Sequence, residues 1–159
     1  MWPMLQRRAS CAVGTGLSSG PQSLTLSNTA DSFQAMGYLI VFLGGGLGAA
    51  MRHGINLVVA RALGTAFPYG TLLINITGSF IMGAVAAYFA FKGDASQHWR
   101  LFLTTGILGG YTTFSAFSLD VALLYERGEI GLAALYVGAS VAISIAGLFA
   151  GLALVRNFA

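Results

Sequence analysis

The chain has 159 residues, 56% hydrophobic and only 8% charged, with a mean hydropathy of +0.76; soluble domains carry about 25% charged residues, which excludes that class and points to a membrane protein. A net charge of +3 from scattered basic residues leaves no footprint for nucleic acid. One cysteine, Cys11, and two histidines, His53 and His98, provide neither an internal disulfide nor a metal-ligand cluster of recognisable spacing.

Residues 1–35 differ from the remainder. They hold Arg7, Arg8, two of the three prolines and many Ser, Thr and Gly, and are expected to form a disordered extension or to reflect an upstream start, with translation beginning at Met36. Gly16-Leu17-Ser18-Ser19-Gly20 matches the serine-hydrolase elbow pattern, but that elbow needs a strand before it and a helix after it, and neither is predicted. The membrane-spanning part is expected over 36–159.

The first apolar span, Tyr38 to Ala60, is long enough at 1.5 Å per residue to cross roughly 30 Å of hydrocarbon. It carries Gly44-Gly45-Gly46-Leu47-Gly48-Ala49, which mimics a dinucleotide fingerprint without the preceding strand or the downstream acidic residue; Gly44 and Gly48 make a stripe for close helix approach instead. Arg52 lies in or near the end of this span, where an arginine either snorkels to the headgroups or serves an anion path. After a short loop, Pro68 suits the first turn of a second span, Tyr69 to Phe91, which has no charge. Thr71, Asn75 and Ser79 share one of its faces. Asn75 also opens an Asn-Ile-Thr sequon, excluded as a glycosylation site by its depth; it reads either as an interhelical hydrogen bonder or as a donor to a permeant ion.

The third span, Leu101 to Tyr125, contains Gly109-Gly110-Tyr111-Thr112-Thr113-Phe114-Ser115-Ala116-Phe117-Ser118, a poor continuous helix because glycine and β-branched residues disfavour one. A break is expected here, and in lipid such irregularity survives only where it is buried or lines a polar cavity. A broken helix exposes carbonyls at one half-helix end and N–H groups at the other. Asp120 reads as a cap of the second half-helix or as a proton relay. In the fourth span, Leu132 to Val155, Tyr136, Ser140 and Ser144 form a second polar stripe, while Gly147 and Gly151 mark another close contact. Phe114 and Phe117 can turn positive ring edges toward an anion, and with the neutral donors they suit a small, strongly hydrated anion that must leave quickly.

With the N-terminus cytoplasmic, Arg7, Arg8, Lys92, Arg100 and Arg156 lie on that side and Arg52, Arg61 and Arg127 opposite; without the extension the two sides balance. The positive-inside rule then gives almost no instruction, and insertion in both directions is expected.

These residues resemble the fluoride channel family, Fluc or CrcB. The elements are Gly44-Gly45-xx-Gly48-Ala49-xx-Arg52, Gly70-Thr71-Leu72-xx-Asn75-xx-Gly78-Ser79-Phe80 and the Gly109 to Ser118 run, in that order over about 36–159. The resemblance implies an all-α membrane protein with four transmembrane helices per subunit, a break in the third, and an inverted, dual-topology homodimer. It also implies passive fluoride export that relieves fluoride toxicity, with no enzymatic activity, from a multi-pass position in the inner (plasma) membrane. Carried over by position, Asn75, Phe114, Phe117, Tyr136, Ser140, Ser144 and Thr71 would line the fluoride pore, and the backbone carbonyls of Gly109 and Thr112 would hold a structural sodium ion. Partners are fluoride, membrane lipid and a second copy of the chain. The sequence departs from the family at Ala116, where threonine is usual, and at Asp120, where glutamate is usual. The competing expectations are a small proton- or cation-coupled transporter, motivated by Asp120, and a non-transporting scaffold built on the glycine stripes.

Overall fold

The computed structural model describes the backbone of residues 21–92 and 96–158, with side chains from Gln34 onward. The chain divides into two units between Phe33 and Gln34, and the second is described by itself below. The extension expected over 1–35 lies outside the described residues as far as 20; from Pro21 the backbone is helical.

Helix α1 spans Pro21–Leu63, α2 Tyr69–Phe91, and α3 Gln97–Arg100; a π-helical segment, Leu101–Leu108, follows, then α4 Gly109–Tyr111, α5 Phe114–Glu126 and α6 Ile130–Phe158. Among the described residues, four runs are long and apolar enough to cross a membrane: Gln34–Leu63, Tyr69–Phe91, Gln97–Glu126 and Ile130–Phe158. All four coincide with the expected spans, and their large side chains, such as Phe42, Leu47, Ile145 and Phe149, face outward as a lipid-solvated surface requires.

The helices end where the chain permits a left-handed residue. Gly64 closes α1 at φ 78° and Gly128 closes α5 at φ 77°, with the Gly64 N–H donating to the Ala60 carbonyl at 3.0 Å. Pro68 stands just before α2 rather than inside its first turn, and its carbonyl accepts from Leu72 N–H at 3.2 Å.

Lipid tails offer helices no hydrophobic reason to associate, so close backbone packing must hold them. Two seams supply it. On α1, Gly44 meets the backbone of Gly106, and a side chain at Gly48 would strike the Ile107 carbonyl; Gly110 in turn lies against the backbone of Gly45. Between α2 and α6, Gly83 faces the Leu148 carbonyl and Gly151 the Phe80 carbonyl. The glycine stripes read from the sequence are therefore contact surfaces. A small apolar cluster of Leu124, Ala133 and Tyr136, flanked by Phe67, Leu72, Phe117 and Val121, fixes α5 against α6.

The third span is one joined run that bends, not two separate half-helices. The bend falls at Thr112 (φ −75°, ψ 158°) and Thr113 (φ −155°, ψ 122°), both extended.

Candidate functional site

An extended residue between helices has backbone groups that no helix satisfies, and α2 satisfies them at Thr113. Asn75 Oδ1 accepts from Thr113 N–H at 2.9 Å, and Asn75 Nδ2 donates to the Thr113 carbonyl at 3.0 Å. The side-chain amide pairs with one residue of backbone as a neighbouring strand would. Thr113 Oγ1 accepts from Ala116 N–H at 3.2 Å and so caps α5. The expected capping role of Asp120 is thereby corrected: Asp120 sits a turn deeper in α5, where its Oδ2 accepts from the Tyr136 hydroxyl at 3.1 Å. A threonine at the last extended position is already close enough to take the cap.

These bonds release two carbonyls. Within a continuous helix, Gly109 would accept from Thr113 N–H and Thr112 from Ala116 N–H. Both amides are spent elsewhere, on Asn75 and on the Thr113 hydroxyl. Thr112 itself stays tied to the turn before it, with both its N–H and its Oγ1 donating to the Leu108 carbonyl at 3.0 Å.

A cavity of about 330 Å³ opens beside the bend between α2 and α6. Asn75, Ser79, Thr112, Thr113, Phe114, Phe117, Ser140 and Ser144 are among its lining residues. Ser140 Oγ and Ser144 Oγ are buried and have no hydrogen-bond partner among the described residues. Helical serines ordinarily donate to the carbonyl a turn back; these two do not.

A second cavity of about 330 Å³, lined by Asn56, Phe67, Thr71, Ala116, Asp120 and Arg127 among others, lies toward the loop end of the same helices. Tyr136 is completely buried, with Asp120 bonded to its hydroxyl and Thr71 and Ser140 beside it, Ser140 short of hydrogen-bond geometry. Thr71 lines one cavity and Ser140 the other, so Tyr136 stands between them. Rings continue through this point: Phe114 to Phe117 at 5.6 Å between centroids, Phe117 to Tyr136 at 5.3 Å, and Tyr136 to Phe67 at 5.5 Å, edge-on. Phe114, at the outer end, is 78% exposed.

Of the residues singled out from sequence, Asn75, Thr112, Phe114, Phe117, Ser140 and Ser144 meet at one cavity, Thr71 at the other, and Tyr136 between them. Gly109 lines neither cavity. Arg52 is half-buried on α1 and lines neither cavity. Sequence reasoning missed Thr113, although a threonine ahead of a helical run is an ordinary cap signal. It also missed Phe67, whose aromatic contacts no periodicity announces, and the hydroxyl pair of Thr77 with Tyr111 at 3.0 Å.

Four membrane-capable spans among the described residues, a bent third span and two cavities beside it define a small multi-pass membrane protein. Over residues 39–152 the chain matches the family model described as CrcB-like protein, Camphor Resistance (CrcB). It is 74% identical over 121 residues to the fluoride-specific ion channel FluC of Rhodopseudomonas palustris strain BisB5, covering 76% of this chain and 98% of that protein. It is 68% identical over 122 residues to the fluoride-specific ion channel FluC 2 of Nitrobacter hamburgensis, covering 77% and 98%, and 60% identical over 122 residues to FluC of Granulibacter bethesdensis, covering 77% and 96%. The chain belongs to the CrcB family, a family of membrane channels and not of enzymes.

Proposed function

We propose that this protein is a passive fluoride channel of the inner membrane that exports fluoride and so relieves its toxicity. The observation that carries this is the pair of unspent serine donors on α6, facing Asn75 and the Phe117 ring across one cavity. Fluoride is small and strongly hydrated, and its passage needs partial replacement of water by groups that hold it weakly. Neutral hydroxyls, an amide N–H and ring edges meet that need without a full positive charge that would trap the anion. The second Nδ2 hydrogen of Asn75 is the one left over after Thr113 is satisfied. The name borne by the relatives, fluoride-specific ion channel, supports the same reading.

In this reading the bend at Thr112 and Thr113 is the working break of the third span. The released carbonyls of Gly109 and Thr112 suit a hard, oxygen-seeking cation, and they would hold a structural sodium ion, whose charge would fix the crossing of two bent spans. The assembly is an inverted homodimer. Two features favour it: the balance of basic residues across the channel part, and the exposure of Phe114, a pore ring left on an open face of one subunit.

Purified protein in liposomes is expected to dissipate a fluoride gradient at least about a hundred-fold faster than a chloride gradient, read with ion-selective electrodes under a potassium shunt; equal rates for the two anions would refute the channel reading. Replacing Asp120 with Asn separates the alternative of proton coupling: that alternative expects the variant to lose pH-driven uptake, and electrical fluoride flux unchanged from native excludes it.

A further inference from the structure

Helix α2 holds the bend from both sides, and only one of the two contacts belongs to the cavity. Downstream, Asn75 pairs with Thr113. Upstream, the Tyr111 hydroxyl and Thr77 Oγ1 lie 3.0 Å apart, and neither residue lines the cavity. Thr77 has one hydroxyl proton, committed to the Leu73 carbonyl at 2.7 Å, so Tyr111 is the donor and Thr77 the acceptor. Tyr111 is only 6% exposed. Its ring lies against the space over Gly78, where an added Cβ would come within 3.1 Å of Cδ1 and would strike Thr112 Cγ2. Tyr111 is also the last helical residue before the bend.

We propose that Thr77 and Tyr111 are positioning residues for the bend. Their hydroxyl pair holds the final turn of α4 against α2, and this keeps the carbonyls of Gly109 and Thr112 aimed together. A polar hydroxyl buried in a membrane protein has few alternative partners, so the pair is directional where apolar packing alone would let α4 rotate. The consequence for the carbonyls rests on their reading as a cation site; the positioning of the backbone does not.

The test is hydrogen–deuterium exchange on the full chain in nanodiscs. Tyr111→Phe and Thr77→Val are each expected to speed exchange of the amides over 109–116 by about five-fold, the population change that loss of one neutral hydrogen bond produces. The double variant is expected to exchange no faster than either single one, and Thr77→Ser, which keeps the acceptor, at the native rate. Unchanged exchange in Tyr111→Phe, additive effects in the double variant, or acceleration spread evenly over the chain would overturn the proposal. Sodium titrated against thermal unfolding gives the second readout, with choline as the control. Its half-maximal concentration should rise several-fold in Tyr111→Phe and return to native in Thr77→Ser; an unchanged midpoint overturns the link to the carbonyls. A native protein indifferent to sodium sinks the cation reading alone, and the exchange rates still decide the positioning.

Discussion

Asn75 spends its acceptor and one of its two donors on Thr113, so under the proposed function any substitution there acts on structure and passage at once. Asn75→Ala orphans an N–H and a carbonyl at membrane depth, each worth about 1–3 kcal/mol when left unpaired. Flux and thermal stability should both fall, as measured by fluoride efflux and by thermal unfolding in the same detergent. The serines behave differently. Ser140 Oγ and Ser144 Oγ have no hydrogen-bond partner among the described residues, and removing a buried unpaired hydroxyl is close to neutral for stability. Ser140→Ala and Ser144→Ala should therefore leave the unfolding temperature within a degree or two, roughly the effect of a few tenths of a kcal/mol, and yet lower fluoride flux at least about ten-fold, the loss expected for a displaced donor worth about 1.4 kcal/mol. Full flux in both variants would reduce the serines to ordinary buried residues.

At the scale of the elements, the third span depends on its cap and its seams. Thr113→Ala removes the acceptor for Ala116 N–H and should cost about 1 kcal/mol, most of which Thr113→Ser or Thr113→Asp restores. Gly48 touches the Ile107 carbonyl across the seam with α1. Gly48→Leu should push α1 away, cost about 1–3 kcal/mol by overpacking, and lower the yield of folded protein in size-exclusion chromatography. The seams were legible in the sequence because small residues repeat at a helical interval with no other physical reason to do so. The location of irregularity was legible too, since Gly109, Gly110, Thr112 and Thr113 are poor company for a helix. Its form was not. Whether a weak helix splits or merely bends depends on which neighbour satisfies the exposed amides, and Asn75 lies 38 positions away in sequence. The misplaced cap has the same origin: Asp120 has the right chemistry for a helix start, but the start is set by where the backbone leaves the extended region, which the sequence pattern does not encode.

For the whole molecule, the balance of basic residues and the open Phe114 ring bear on orientation and assembly. Adding Ser96→Lys and Gln97→Lys should drive insertion with that loop cytoplasmic, and Leu63→Lys with Thr65→Lys should drive the opposite orientation. Each biased variant expressed alone should be inactive, and the two expressed together should recover flux, scored by growth in fluoride and by cysteine labelling from each side. A uniformly oriented variant with full flux on its own would rule out the inverted dimer. Four spans with short connections were readable from composition alone, because apolar runs bounded by Pro68, Lys92 and the charged turn at Glu126 leave few other folds. The meeting of Tyr136 with Asp120 and Thr71 was not readable, since three different helices contribute and no spacing within one helix reveals it.

The pairing of Asn75 with Thr113 also bears on the order in which the protein can be assembled in the membrane. A third span entering lipid by itself would carry the Thr113 N–H and carbonyl into hydrocarbon with no partner, at a cost of several kcal/mol. The second span already offers the amide that removes that cost. Integration of the third span is therefore tied to the presence of the second, and a chain released with its second span misplaced should retain the third at the insertion machinery until the two meet.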